Sequence, residues 1–142
     1  MTINDLVGRW QLTAWTATDE TGAVTTPFGE KPQGVVIYTA HGWMSGQIAA
    51  GDRPNLSTAV ALAGTDRERA EAYSTYIAYS GEYRLEGDTV IHTLRMSLFP
   101  NWIGTEQRRT VEVSPTDLTL RTPPTPVGNH ILVNALQWIR AE

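Results

Sequence analysis

Alternation of apolar and polar residues with a period of two recurs along most of the chain. From Gly8 to Ala17, Trp10, Leu12 and Ala14 alternate with Arg9, Gln11 and Thr13, the pattern of a half-buried strand. Val35–Ala40 and Trp43–Ala50 flank His41-Gly42 and read as a hairpin. Further strand-like runs cover Tyr79–Leu85, Thr89–Leu98, Thr105–Val113, Leu118–Thr122 and Gly128–Arg140, which makes eight. Asp19–Gly22 reads as a turn and Thr26–Gly34 as a loop rich in Pro and Gly. One segment breaks the pattern. Thr65 and Glu68 are spaced as a capping box, and Ala70, Tyr73, Tyr76 and Ile77 follow at helical spacing. A helix of about three turns is therefore expected within Thr65–Ser80. Its aromatic face would form a lid or plug on the strands.

The expected fold class is all-β: an eight-stranded antiparallel up-and-down barrel, with one helix inserted between the third and fourth strands. Closing the sheet removes exposed edges, and eight strands leave room for one small ligand. A β-sandwich is the alternative, but short connections favour pairing between sequence neighbours. Residues 1–142 read as a single domain, with no repeat or linker.

Strand periodicity also assigns faces. In Thr89–Leu98, Val90, His92, Leu94, Met96 and Leu98 share one face, so His92 stands in an apolar row. In Tyr79–Leu85 the tyrosines Tyr79 and Tyr83 turn inward. In Thr105–Val113 the face ending in Val111 and Val113 carries Gln107 and Arg109 with it. A tight turn at Phe99–Trp102 would pair Leu94 with Gln107 and His92 with Arg109. A longer loop would shift that register by two residues. The turn at Glu86-Gly87-Asp88 sets Tyr83, or else Gly81, opposite His92. The expected row is Tyr83, His92 and Arg109, with Gln107 one step along.

Composition narrows the partners. Net charge is −4 and Lys31 is the single lysine, which argues against nucleic acid. There is no cysteine, so disulfides, thiol nucleophiles and Cys-based metal sites are excluded. No apolar run reaches membrane-span length, and no signal peptide is visible, so a cytoplasmic location and no membrane partner are expected. Nothing indicates a homo-oligomer, although the composition permits one.

An inward arginine is unfavourable unless it is paired or hydrogen-bonded. Arg109 is read as a cavity group that meets a ligand carboxylate, enolate or carbonyl oxygen; the plainer reading is an arginine that closes the barrel floor. Beside it, His92 would stay neutral, as a general base must, and Tyr83 could donate to an oxyanion; both also read as ordinary core residues. Gln107 would help orient the polar end of the ligand, with Tyr79, Leu94, Met96 and Trp102 as apolar contacts. No metal is expected, because His41 and His130 lack ligand spacing to His92 and Arg109 would repel a cation. No cofactor is expected either.

Gly8-Arg9-Trp10 opens the first strand and resembles the G-x-W signature of lipocalins. In that family the tryptophan packs at the closed barrel end, often beneath an arginine of the last strand, for which Arg140 is the counterpart. LVGRWQLTAW, PFGEKPQGVVIYTAHGWMS, AYSGEY and HTLRMSLFPNWIGTEQRR are similar to the lipocalin-like domain proteins of bacteria and fungi over nearly the whole length. The resemblance implies a barrel with a small-molecule cavity. The leading expectation is a cofactor-independent isomerase or cyclase, with His92 moving a proton and Arg109 and Tyr83 stabilising an oxyanion. The alternative is a binding or carrier protein using the same residues.

Overall fold

The computed structural model describes residues 1–142. Ten strands follow in chain order: β1 (Gly8–Thr18), β2 (Val24–Thr25), β3 (Gln33–Tyr38), β4 (Trp43–Ala49), β5 (Tyr76–Glu86), β6 (Thr89–Ser97), β7 (Glu106–Val113), β8 (Asp117–Arg121), β9 (Thr125–Val127) and β10 (His130–Arg140). The short β2 and β9 are flanking hairpin arms. The eight long strands pair antiparallel in sequence order, and β1 pairs with β10 to close the barrel. No helix is long and apolar enough to cross a membrane.

Closure is sealed at one end. A short helix, α1 (Ile3–Leu6), leads into β1. Trp10 is fully buried and donates its indole N–H to the Leu6 carbonyl (2.8 Å). The Arg140 guanidinium lies over the Trp10 ring, 4.1 Å from its centroid. Arg140 also donates to the carbonyls of Val7 (2.7 Å), Asp5 (2.9 Å) and Pro115 (2.8 Å). Leu6, Leu12, Leu118, Leu120 and Trp138 belong to the same buried core cluster as Trp10.

The helix α2 (Asp66–Ser74) lies between β4 and β5, the third and fourth barrel strands. Its capping box forms as expected: Glu68 N–H donates to Thr65 Oγ1 (3.1 Å) and Thr65 N–H to Glu68 Oε1 (2.9 Å). It is shorter than its apolar spacing suggested. Tyr76 and Ile77 belong to β5, whose pairing with β4 starts at Ala49–Tyr76. They are therefore barrel residues and not part of a helical lid, and α2 has no buried residue.

Two features correct the expected register. Phe99–Trp102 is not a tight hairpin turn: Pro100–Trp102 forms a 3-10 turn, and Gly104 ends the loop at a φ of 83°. The pairs are His92–Gln107 and Val90–Arg109, which is the longer-loop alternative. In β6, Ser80 pairs with Met96 and Gly81 with Leu94, leaving Arg95 as an extra bulged residue. Alternation reverses beyond a bulge. Met96 therefore points outward and is 68% exposed, while the Ser97 hydroxyl is buried.

The bulge requires glycine opposite it, since a Cβ on Gly81 would lie 1.9 Å from the Thr93 carbonyl oxygen, within rigid backbone. Gly81→Ala is expected to lower unfolding free energy by about 2 kcal/mol or more, measured by urea denaturation. An unchanged midpoint would show that the backbone yields at this position.

Candidate functional site

The open half of the barrel encloses a cavity of about 470 Å³. Its apolar wall includes Trp15 from β1, Ile48 from β4, Ile77 and Tyr79 from β5, and Leu136 from β10, with Trp102 from the 3-10 turn. The side chain of Tyr79 meets Trp102 edge-on (5.9 Å) and Phe99 meets Trp102 likewise (5.5 Å), so the turn is anchored by aromatic contacts. Gly46 also lines the cavity; a side chain there would point at Tyr79 and Val36.

The polar end comes from β6 and β7. His92, Gln107 and Arg109 all line the cavity. Arg109 donates to the Arg108 carbonyl (2.8 Å) and to Gln107 Oε1 (3.4 Å), and Gln107 Nε2 donates to Thr105 Oγ1 (3.3 Å). No carboxylate lies within ion-pair distance of Arg109. The neighbouring Arg108, by contrast, pairs with Glu86 and Glu106. An inward guanidinium beside an apolar wall thus lacks a protein counter-charge.

His92 is 1% exposed. Its Nε2 is hydrogen-bonded to the Tyr38 hydroxyl at 2.8 Å, and its Nδ1 is buried with no partner in the protein. Burial, reinforced by the charge of Arg109, pushes the His92 pKa from an ordinary 6.5 down to about 3, so the ring is neutral near pH 7. Burial likewise raises the Tyr38 phenol well above its usual range. Tyr38 escaped the sequence reading because VVIY is apolar on both faces, which conceals its parity.

Three sequence-expected residues sit elsewhere. Tyr83 does pair with His92 across β5 and β6, but its hydroxyl donates to the Thr39 carbonyl (2.5 Å) and it belongs to the packed core, not the cavity wall. Leu94 is fully buried yet also absent from the wall. Met96 is turned out by the bulge. The expected row of Tyr83, His92 and Arg109 becomes Tyr83, His92 and Gln107, with Arg109 one step along. Trp138 and Asn134 complete the cavity from β10, whose inward face the sequence left open. Trp15, by contrast, corrects the expected face of β1: the register shift between Leu12 and Ala14 reverses the alternation begun by Trp10 and Leu12 and turns Trp15 inward.

The family profile described as a lipocalin-like domain matches residues 7–141. The chain belongs to this lipocalin-like family. A crystallised lipocalin-like protein from Bacteroides uniformis superposes with a TM-score of 0.51 at 14% identity, covering 96% of this chain and 98% of that one. A second Bacteroides structure, from B. eggerthii, gives 0.46 at 14% identity over 95% and 98% of the two chains. A curated relative is 40% identical over 87 residues, covering 56% of this chain and 78% of its own length. It is the 4'-hydroxy-3'-methoxypropiophenone carrier protein ppsC of Aspergillus oryzae.

The depressed pKa of His92 makes this lipocalin-like barrel acid-sensitive. Between about 3 and 6.5 the unfolded chain holds a proton on this ring that the folded chain does not, so stability falls with pH across that window. From about pH 7.5 to 5 the loss assigned to His92 is about 2 kcal/mol. Urea unfolding of wild type and His92→Leu at both pH values checks this: the variant lacks that part of the loss. Equal pH dependence in both proteins would contradict a neutral buried His92.

Proposed function

We propose that this protein binds a small, partly apolar organic molecule through a carbonyl or acidic oxygen, and that it carries or sequesters the molecule without transforming it. The observation that carries the reading is Arg109, an inward guanidinium with no carboxylate partner at one end of an otherwise largely apolar cavity. Charge-assisted hydrogen bonds from such a group are among the stronger polar contacts available to an oxygen ligand. Trp15, Tyr79 and Trp102 offer an aromatic wall for the rest of the molecule.

The carrier relative supports aryl ketones as the class, since their flat ring and single carbonyl suit this wall and this polar end. A cofactor-independent isomerase or cyclase is the second reading, with His92 as acid or base. Two observations weigh against it. A pKa near 3 is far from the operating range of a general base, and Nε2 is already engaged by Tyr38. Binding needs neither feature changed.

Calorimetric titration with 4'-hydroxy-3'-methoxypropiophenone tests the proposal. The expected result is one-to-one binding that quenches tryptophan fluorescence, since Trp15, Trp102 and Trp138 line the cavity. Arg109→Met should weaken it about tenfold or more. Chromatography of the recovered compound should show it unchanged. Turnover that depends on His92 would instead establish the catalytic reading, and equal affinity in Arg109→Met would remove Arg109 from the site.

A further inference from the structure

Gly46 is the one glycine of this chain that its own backbone does not require. Eight of the twelve glycines have a positive φ, and at Gly34, Gly51 and Gly81 a Cβ would lie 2.9 Å or less from a carbonyl oxygen. Gly46 has neither feature. The atoms nearest to a Cβ there are Met44 Cε (3.6 Å), Tyr79 Cε2 (3.8 Å) and Val36 Cγ2 (3.8 Å), all at ordinary contact distance. It stands buried in the middle of β4, paired with Val36 of β3 and Tyr79 of β5. A glycine inside a strand costs stability, because it loses more chain freedom on folding than other residues and packs no side chain. An alanine would fit and would add contacts. What the glycine leaves instead is space.

That space belongs to the cavity, which Gly46, Val36 and Tyr79 all line. The inward row of β4 reads Met44, Gly46, Ile48, with Met44 and Ile48 both buried, so the missing side chain makes a notch between two apolar ones. Val36 and Tyr79 stand on either side of it. Tyr79 is fixed edge-on against Trp102 (5.9 Å) and lies 6.0 Å from the His92 ring. The floor of the notch is bare backbone in a strand paired on both edges, so its polar groups serve the ladders and offer water little. A flat apolar floor between fixed walls suits the face of an aromatic ring. Glycine inside a strand recurs where a ligand approaches the backbone this closely.

We infer that Gly46 is a specificity-determining residue of the cavity. The aryl ring of the ligand lies face-on over the β4 backbone at Gly46, between Val36 and Tyr79, and the missing side chain admits a flat ring and not a puckered one. This rests on the aryl-ketone reading above. The Cα–H that replaces a side chain at Gly46 then points into the ring face, whose negative potential suits it. A saturated ring carries hydrogens above and below its mean plane, stands off the backbone and leaves the notch unfilled.

The test compares 4'-hydroxy-3'-methoxypropiophenone with its ring-saturated counterpart, the cyclohexyl ketone bearing the same substituents. Wild type should bind the aryl compound about tenfold more tightly. Gly46→Ala should keep or raise the urea midpoint, and should weaken the aryl compound about tenfold so that the two affinities converge. In NMR of the wild type, an Hα resonance of Gly46 should move upfield in the ring current of the bound aryl compound and not with the saturated one. Equal affinities in the wild type, an unchanged aryl affinity in Gly46→Ala, or an equal loss for both ketones would each overturn the inference. So would an Hα resonance that stays in place, and a lowered urea midpoint would mark Gly46 as structural. All these results leave the carrier function standing. If the wild type does not bind the aryl compound, the aryl-ketone reading falls and the inference with it.

Discussion

Closure of β1 on β10 is the constraint on which everything else in this protein depends. Without it the eight long strands form an open sheet with two free edges and no interior. The closure is held at one end, where Trp10 stands opposite Arg140. A buried indole and a guanidinium stacked on it fill the barrel end, and the same guanidinium satisfies carbonyls of α1 and of the turn before β8. One arginine thus covers apolar surface and accounts for backbone groups that would otherwise be orphaned. Because that end is solid, the space left inside belongs to the other end, where the side chains become both aromatic and polar.

The two inward arginines make opposite uses of the same chemistry. Arg140 is spent entirely on the protein, with its N–H groups on backbone carbonyls and its face on Trp10. Arg109 is bonded only to its neighbour's carbonyl and to Gln107, with no carboxylate to balance it. Its charge adds to burial in keeping His92 neutral. The uncompensated guanidinium thus stands at the cavity wall and not within the packed core, where it would be destabilising without return.

Much of this was legible in the sequence, and the failures are instructive. The eight runs and the capping box at Thr65 and Glu68 could be read because each is local, and the pairing of Trp10 with Arg140 was implied by the resemblance of Gly8-Arg9-Trp10 to the lipocalin signature. The inward faces of β7 and the start of β6 were also readable, since Gln107, Arg109 and His92 stand at fixed parity with apolar residues. Parity failed where the chain departs from strict alternation. The bulge at Arg95 turned Met96 outward, and no residue type at that point announces it; the nearest hint is Gly81 on the opposing strand. Tyr38 was hidden in a run apolar on both faces. Tyr83 illustrates a different limit, because its inward direction was right but its depth was not. It lies among the core residues, with its hydroxyl fixed to Thr39.

The identity of His92's partner changes what the residue can do. A histidine in an apolar row invites the idea of a general base, and a neighbouring cation makes neutrality plausible. Neutrality, however, is not basicity. A ring whose pKa lies near 3 gains a proton only against both burial and Arg109, so it makes a poor base near neutral pH. Its Nε2 is also already bonded to Tyr38, and its Nδ1 is sealed from the cavity without a partner. The hydrogen bond from β3 to β6 therefore ties a candidate base into the core. What the cavity presents to an oxygen acceptor is instead the guanidinium of Arg109, whose charge does not depend on whether His92 carries a proton.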